Sequence, residues 1–371
     1  MNNDNLYIGL MSGTSIDAVD AVVVNFDQDN FSLVGTYSQP IEEDLKQSIM
    51  QLCDTQSDSV QLLAQTDHQL GKLYVASTLA LMEKLRLQSS QIAGIGCHGQ
   101  TIRHVAPNQG EIPFSLQIGD ANIVAAETGI PVVADFRRKD MALGGQGAPL
   151  VPAFHRQIFA DPKKNRVIVN IGGIANITSL PTSNNCLGFD TGPGNLLMDL
   201  WSHTHLGTAY DHNGDWAASG SVNRALLQQF KSDGFFTQPA PKSTGRELFN
   251  LDWLNAQLKD YTSLPPQDIQ ATLLALSAET ISEAIVELEN PVQEVFVCGG
   301  GVHNSALMSA LEQLLPESTV ATTNALGLHP NWVEACAFAW LAKQRIEHKV
   351  GNMTEVTGAT KATVLGAVYL P

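Results

Sequence analysis

Two stretches of the chain share one design, and that repetition constrains the fold more than any other feature. Residues 6–26, LYIGLMSGTSIDAVDAVVVNF, run as an apolar strand into a turn of small residues and return at once as a second strand. Residues 166–181, RVIVNIGGIANITSLP, do the same. Aliphatic and β-branched residues flanking a Gly/Ser/Thr or Gly-Gly turn are the composition of a hairpin. A third strand follows each, FSLVGTYSQ at 31–39 and CLGFDTGPGN at 186–195. Each series later returns to a buried strand running into Gly, IAGIGCHGQT at 92–101 and EVFVCGGG at 294–301, with IPVVADF (130–136) and STVAT (318–322) as further short strands. Helical spacing of apolar residues covers roughly 41–87, 270–289, 304–315 and 332–346. Strands alternating with helices predict mixed sheets covered on their faces, and the doubled order predicts two α/β domains of related topology. We place the first over 1–140, completed by the tail 355–371, and the second over 141–354.

A chain of 371 residues is long enough for two such domains. Its net charge of −16 argues against nucleic acid or an anionic membrane as partner. An anionic ligand must then be met by backbone N–H groups or a local basic spot. The five cysteines are scattered, with no Cys-x-x-Cys pair, and read as reduced thiols of a cytosolic protein. The N-terminus carries no leader pattern and no stretch reaches the roughly 18 apolar residues of a membrane span, so a soluble cytoplasmic protein is expected.

Four small-residue loops sit at strand ends. In MSGTSIDAVD (11–20), Ser12, Gly13, Thr14 and Ser15 can aim N–H and hydroxyl groups at a phosphate, while Asp17 organises the loop or faces a metal. A polar β-turn would use the same residues. NIGGIANIT (170–178) adds Gly172, Gly173 and the amide of Asn176, in what is otherwise a plain hairpin. VCGGGVHN (297–304) places Gly299, Gly300 and Gly301 before a helix capped by Asn304 or Ser305. Bare backbone there lets a flat ring or sugar lie close, or simply makes a tight turn, and the helix N-terminus favours anions. GFDTGPGN (188–195) sets one carboxylate, Asp190, beside two glycines and a proline. No G-x-G-x-x-G or Walker motif follows the first strand of either series.

Other chemistry-bearing residues lie elsewhere. DFRRKD (135–140) is a basic cluster in an acidic chain. CHGQTIRH places His98 and Gln100 after a strand, and Glu334 is a lone acid on an apolar helix. SHTHLGTAYDHNGDW offers His203, His205, Asp211, His212 and Asp215, but without a zinc spacing, so we read it as structural.

In order, GLMSGTSIDAVD, CHGQTIRH, QIGDAN, VVADFRRKDMALGGQGAPLVPAFH, NIGGIANIT, GFDTGPGN, KSTGRELFN, VCGGGVHN and TGATKATVLGA resemble the anhydro-N-acetylmuramic acid kinase family almost end to end. That family is part of the actin–hexokinase–acetate kinase superfamily. The resemblance implies two duplicated actin-like ATPase (ribonuclease H-like) domains flanking a nucleotide cleft. It implies an enzyme using ATP and Mg²⁺ to open the 1,6-anhydro ring hydrolytically and phosphorylate O6, giving N-acetylmuramate 6-phosphate in peptidoglycan recycling, and a homodimer.

By the same resemblance, Ser12, Gly13, Thr14, Ser15, Ile16, Asp17, Ala18 and Val19 form the first phosphate hairpin. Gly172, Gly173 and Asn176 belong to the second, and Gly299, Gly300, Gly301 and Asn304 to the adenosine side. Asp190 carries over as general base, with Glu334 as a second acid near the water and sugar. Arg138, with Arg137 as substitute, suits the lactyl carboxylate, because an Arg fork matches a carboxylate. Asp135 binds a sugar hydroxyl or faces Mg²⁺, His98 and Gln100 line the sugar pocket, or His98 is a satisfied core histidine, and no direct metal ligand is assigned. Ala18 departs from the family, which usually has Gly there. Two other readings are a different sugar kinase of this fold and an actin-like nucleotide switch without sugar chemistry.

Overall fold

A computed structural model describes residues 5–27, 30–54, 59–107, 112–183 and 185–371. The chain divides into two compact units, Met1–Phe154 with Trp332–Pro371, and His155–Asn331. In the first unit the strands are β1 (Leu6–Ser12), β2 (Ala18–Asp27), β3 (Asn30–Pro40), β4 (Ile92–Cys97), β5 (Gln100–Val105), β6 (Phe114–Ile118) and β7 (Val132–Ala134). The sheet core runs β7-β4-β1-β2-β3. β1, β2 and β3 are antiparallel, whereas β4 and β7 run parallel to β1. β5 and β6 form a separate hairpin.

Alternation along β1 assigns its two faces. Ile8 and Leu10 join Leu70 and Tyr74 of helix Val60–Leu85 in one apolar cluster. Gly9, on the opposite face, pairs in register with Gly96 of β4. A Cβ on Gly9 would lie 1.9 Å from the Ala335 carbonyl oxygen, and one on Gly96 1.9 Å from that of Phe338. Helix Val333–Ile346 therefore rests its backbone directly on the first sheet. This differs from the boundary expected from sequence, which assigned residues up to 354 to the second domain. The two glycines, far away in sequence, decide where that helix docks.

The second unit has β8 (Arg166–Ile171), β9 (Ile174–Leu180), β10 (Leu187–Pro193), β11 (Glu294–Cys298) and β12 (Thr319–Thr322), ordered β10-β9-β8-β11-β12. β8, β9 and β10 are antiparallel, and β11 and β12 parallel to β8. Strand for strand, this is the order and sense of β3-β2-β1-β4-β7, so the duplication read from sequence is present in the topology. The last strand, β13 (Ala367–Tyr369), pairs antiparallel with β7 and extends the first sheet.

Helix Pro266–Val286 is long and apolar enough by length and composition to cross a membrane, which the sequence reading did not identify. In the fold, 72% of its most apolar window is buried. Its Leu273, Leu276 and Ile281 share a core with Val167 and Val169 of β8.

Candidate active site

In the first unit, the β1–β2 turn is closed by the Ile16 N–H donating to the Gly13 carbonyl at 3.2 Å. Ile16 has φ 57°, a costly conformation for a β-branched residue, and its side chain is buried. Thr14 and Ser15 are left exposed at the tip. Ser12 is buried and its hydroxyl donates to Gln100 Oε1, while Gln100 Nε2 donates to the Gly13 carbonyl at 3.3 Å. Gln100, expected in the sugar pocket, thus braces the hairpin from behind. Asp17 is exposed and pairs with Lys46 at 3.2 Å. Ala18 and Val19 lie on β2, with the Val19 side chain fully buried.

His98, at the end of β4, is buried. Its Nδ1 lies 2.6 Å from the Gly99 carbonyl, and its Nε2 lies 2.8 Å from Arg137 Nη2. A guanidinium can only donate, so Nε2 accepts and the proton sits on Nδ1. Burial, and then the Arg137 charge, hold this imidazole well below its usual pKa. His98 is accordingly a neutral support for Arg137, whose Nη1 also donates to the Gly147 carbonyl at 2.8 Å. Arg138 is exposed and grips Asp135 with both Nε and Nη2, at 2.7 and 2.5 Å. Two of the expected sugar-binding residues are therefore partners of each other. Glu334 lies half-buried in the first turn of helix Val333–Ile346, between buried Val333 and Ala335.

In the second unit, register aligns four residues across four strands. Asp190 on β10 faces Asn176 on β9, which faces Asn170 on β8, which faces Cys298 on β11. Paired residues share a face of the sheet, so a polar row ends at the strand termini. Asp190 is only 8% exposed. Its N–H donates to the Lys242 carbonyl at 3.0 Å, and its Oδ2 accepts from the Thr244 N–H at 2.9 Å. Beyond it, the N–H groups of Gly194 and Leu196 donate to the Gly173 carbonyl at 2.8 and 3.1 Å, and that of Asn195 to the Gly172 carbonyl at 2.9 Å. The second hairpin and the Asp190 loop are thereby one body. Close approach demands a bare backbone, since a Cβ on Gly194 would lie 2.5 Å from the Gly172 carbonyl oxygen.

The three glycines after β11 have different tasks. Gly299 takes φ 81° against Asn170 and Ile171, and Gly301 packs on Ile171. Gly300 is exposed, and the nearest atom to a Cβ placed there is 3.9 Å away, so this is the glycine with room for a ligand. Asn304 Oδ1 accepts from the Leu307 N–H at 2.9 Å and caps helix Ser305–Leu314. In the His/Asp run, Asp211 accepts from the N–H groups of Trp216 and Ala217, a capping role. Among the described residues no three His, Cys, Asp or Glu side chains are grouped to hold a metal ion.

Sequence reasoning quoted Asn170 and the segment 242–244 within matching blocks but gave them no role. Asn170 and Asn176 stand equidistant from Gly173, so hairpin symmetry signals their pairing. Contact of Lys242 and Thr244 with Asp190 has no local signal.

Two units of one strand order, each with small-residue hairpins and Gly-rich strand ends, define a protein of the duplicated α/β class. The profile of the anhydro-N-acetylmuramic acid kinase family matches residues 5–371, and the chain belongs to that family. It is 50% identical over 364 residues to "Anhydro-N-acetylmuramic acid kinase" of Pasteurella multocida, covering 98% of this chain and 96% of the relative. It is 50% identical over 368 residues to the protein of that name from Shewanella halifaxensis, covering 99% of each. Among solved structures, component A of the (R)-2-hydroxyglutaryl-CoA dehydratase of Acidaminococcus fermentans matches with a TM-score of 0.47 and 11% identity, over 92% of this chain and 99% of that one.

Proposed function

We propose that this protein is an ATP-dependent kinase that opens the 1,6-anhydro ring of 1,6-anhydro-N-acetylmuramate with water and phosphorylates O6, giving N-acetylmuramate 6-phosphate and ADP. The observation that carries this reading is Asp190, a carboxylate clamped midway along β10, four residues before the bare backbone of Gly194. Water is a poor nucleophile, and a positioned carboxylate that takes its proton enables attack at the anomeric carbon. The C1–O6 bond then breaks, and O6 takes the γ-phosphoryl group from ATP in line. Exposed Thr14 and Ser15 and the N–H groups of both hairpins suit the phosphates, and Gly300 leaves room for the adenosine.

Arg138 is assigned the lactyl carboxylate, exchanging Asp135 for it, with Arg137 held ready behind. Glu334 is assigned to the water and sugar as a second acid. Mg²⁺ in kinase sites is held mostly by phosphates and water with one or two carboxylates, and Asp17, exposed at the first hairpin, would supply one. When bound, the ion supplies charge neutralisation for the triphosphate. A cytoplasmic homodimer acting in cell-wall recycling completes the reading.

The test is to supply the anhydro sugar with Mg-ATP in H₂¹⁸O. Formation of the 6-phosphate with ¹⁸O at C1 is expected. Transfer without the label indicates a simple sugar kinase, and no transfer indicates a nucleotide switch.

A further inference from the structure

We propose that Lys242 is a positioning residue for Asp190, locking the segment 242–244 onto β10. The proposal rests on the reading of Asp190 as the base. Lys242 Nζ is half-buried and donates to the carbonyls of Phe235 and Phe236, both at 3.2 Å, and lies 4.7 Å from the centroid of the Phe235 ring. Its own carbonyl receives the Asp190 N–H, and two residues on the Thr244 N–H meets Asp190 Oδ2.

The turn gripped by the ammonium also touches the catalytic loop. Gly192 has φ 141°, and a Cβ there would lie 2.8 Å from Phe236 Cε1, so the ring is seated against its backbone. One ammonium thus ties together the Phe235–Phe236 turn, the strap that clamps Asp190, and the loop that follows Asp190. The ammonium adds two hydrogen bonds to those that hold the strap, and about 0.5 Å of slack is enough to spoil a catalytic geometry.

The experiment compares wild type, Asp190→Asn, Lys242→Met and Lys242→Arg in the anhydro-sugar assay, with Tm recorded for each. Lys242→Met is expected to lower kcat about tenfold with the KM values for ATP and sugar unchanged. Lys242→Arg, which keeps the donors, is expected to recover kcat. Lys242→Ala replaces the Met variant if that does not fold. A lowered Tm with kcat unmoved would overturn the positioning role. Full activity in Asp190→Asn would instead remove the base assignment, and this proposal with it.

Discussion

Arg138 donates from Nε and Nη2 to the two carboxylate oxygens of Asp135, a bidentate fork lying at the surface just beyond β7. The same fork fits any carboxylate of the right approach, so on the proposed assignment the lactyl carboxylate of the sugar would replace Asp135. An exposed pair of this kind contributes little stability. Arg138→Ala is therefore expected to leave Tm nearly unchanged while raising the KM for the anhydro sugar roughly 10- to 100-fold, the value of a charged hydrogen-bonded pair. Steady-state kinetics with both substrates decides it; an unaltered sugar KM would transfer the carboxylate to Arg137.

Asp190→Asn preserves size and can still accept from the Thr244 N–H through its amide oxygen. As the base is lost and the fold is not, kcat should fall by roughly 10²- to 10⁴-fold with little change in nucleotide affinity. Single-turnover kinetics with a nucleotide-binding titration checks this. A change confined to ATP affinity would assign Asp190 to the metal.

Gly9 and Gly96 let helix Val333–Ile346 sit on the first sheet. Gly9→Ala must push the Ala335 backbone away, and overpacking of this kind costs about 1–3 kcal/mol. Gly129, whose Cβ would meet nothing within 4 Å, is the control, its alanine variant suffering only backbone strain at φ 68°. Urea denaturation should rank Gly9→Ala well below Gly129→Ala. Equal losses would mean that the helix adjusts freely.

His155 is buried with Nδ1 2.9 Å from Thr178 Oγ1, and desolvation pushes its pKa down to about 3. The unfolded chain binds this proton near pH 6.5, the native chain only near 3, so stability falls as pH drops through that window. The slope is about 1.4 kcal/mol per pH unit, or about 2 kcal/mol between pH 6.5 and 5. Asp20 acts in the opposite sense: burial raises it to about 6, so protonation of the native state adds stability as pH falls below that. Comparing wild type with His155→Gln by urea unfolding at both pH values removes the Asp20 contribution. The stability advantage of the wild type should shrink by about the amount above. A constant advantage would show that His155 is charged in the native state.

Legibility from sequence followed the range of the interactions. Both hairpins and the helices at 43–53, 60–85, 305–314 and 333–346 are visible because apolar period and turn chemistry act over a few residues. The β5–β6 hairpin escaped notice, as QTIRHV carries a mixed polar pattern, and so did three-residue β13, which exists only by pairing with β7. Asn304 was recognisable as a cap from its place before an apolar run. Gln100 was not recognisable as a brace, because its partner Ser12 lies 88 residues away.

Local chemistry in the chain sufficed to set where each strand turns back, which loops are bare backbone, and that one α/β plan occurs twice. Packing between distant segments settled the rest. It seated helix Val333–Ile346 on Gly9 and Gly96, braced Ser12 with Gln100, and strapped Asp190 with residues more than 50 positions downstream. Propensity is a property of neighbours along the chain. Which carboxylate meets which donor depends on how the remaining surfaces are buried, and that is decided only when the whole unit closes.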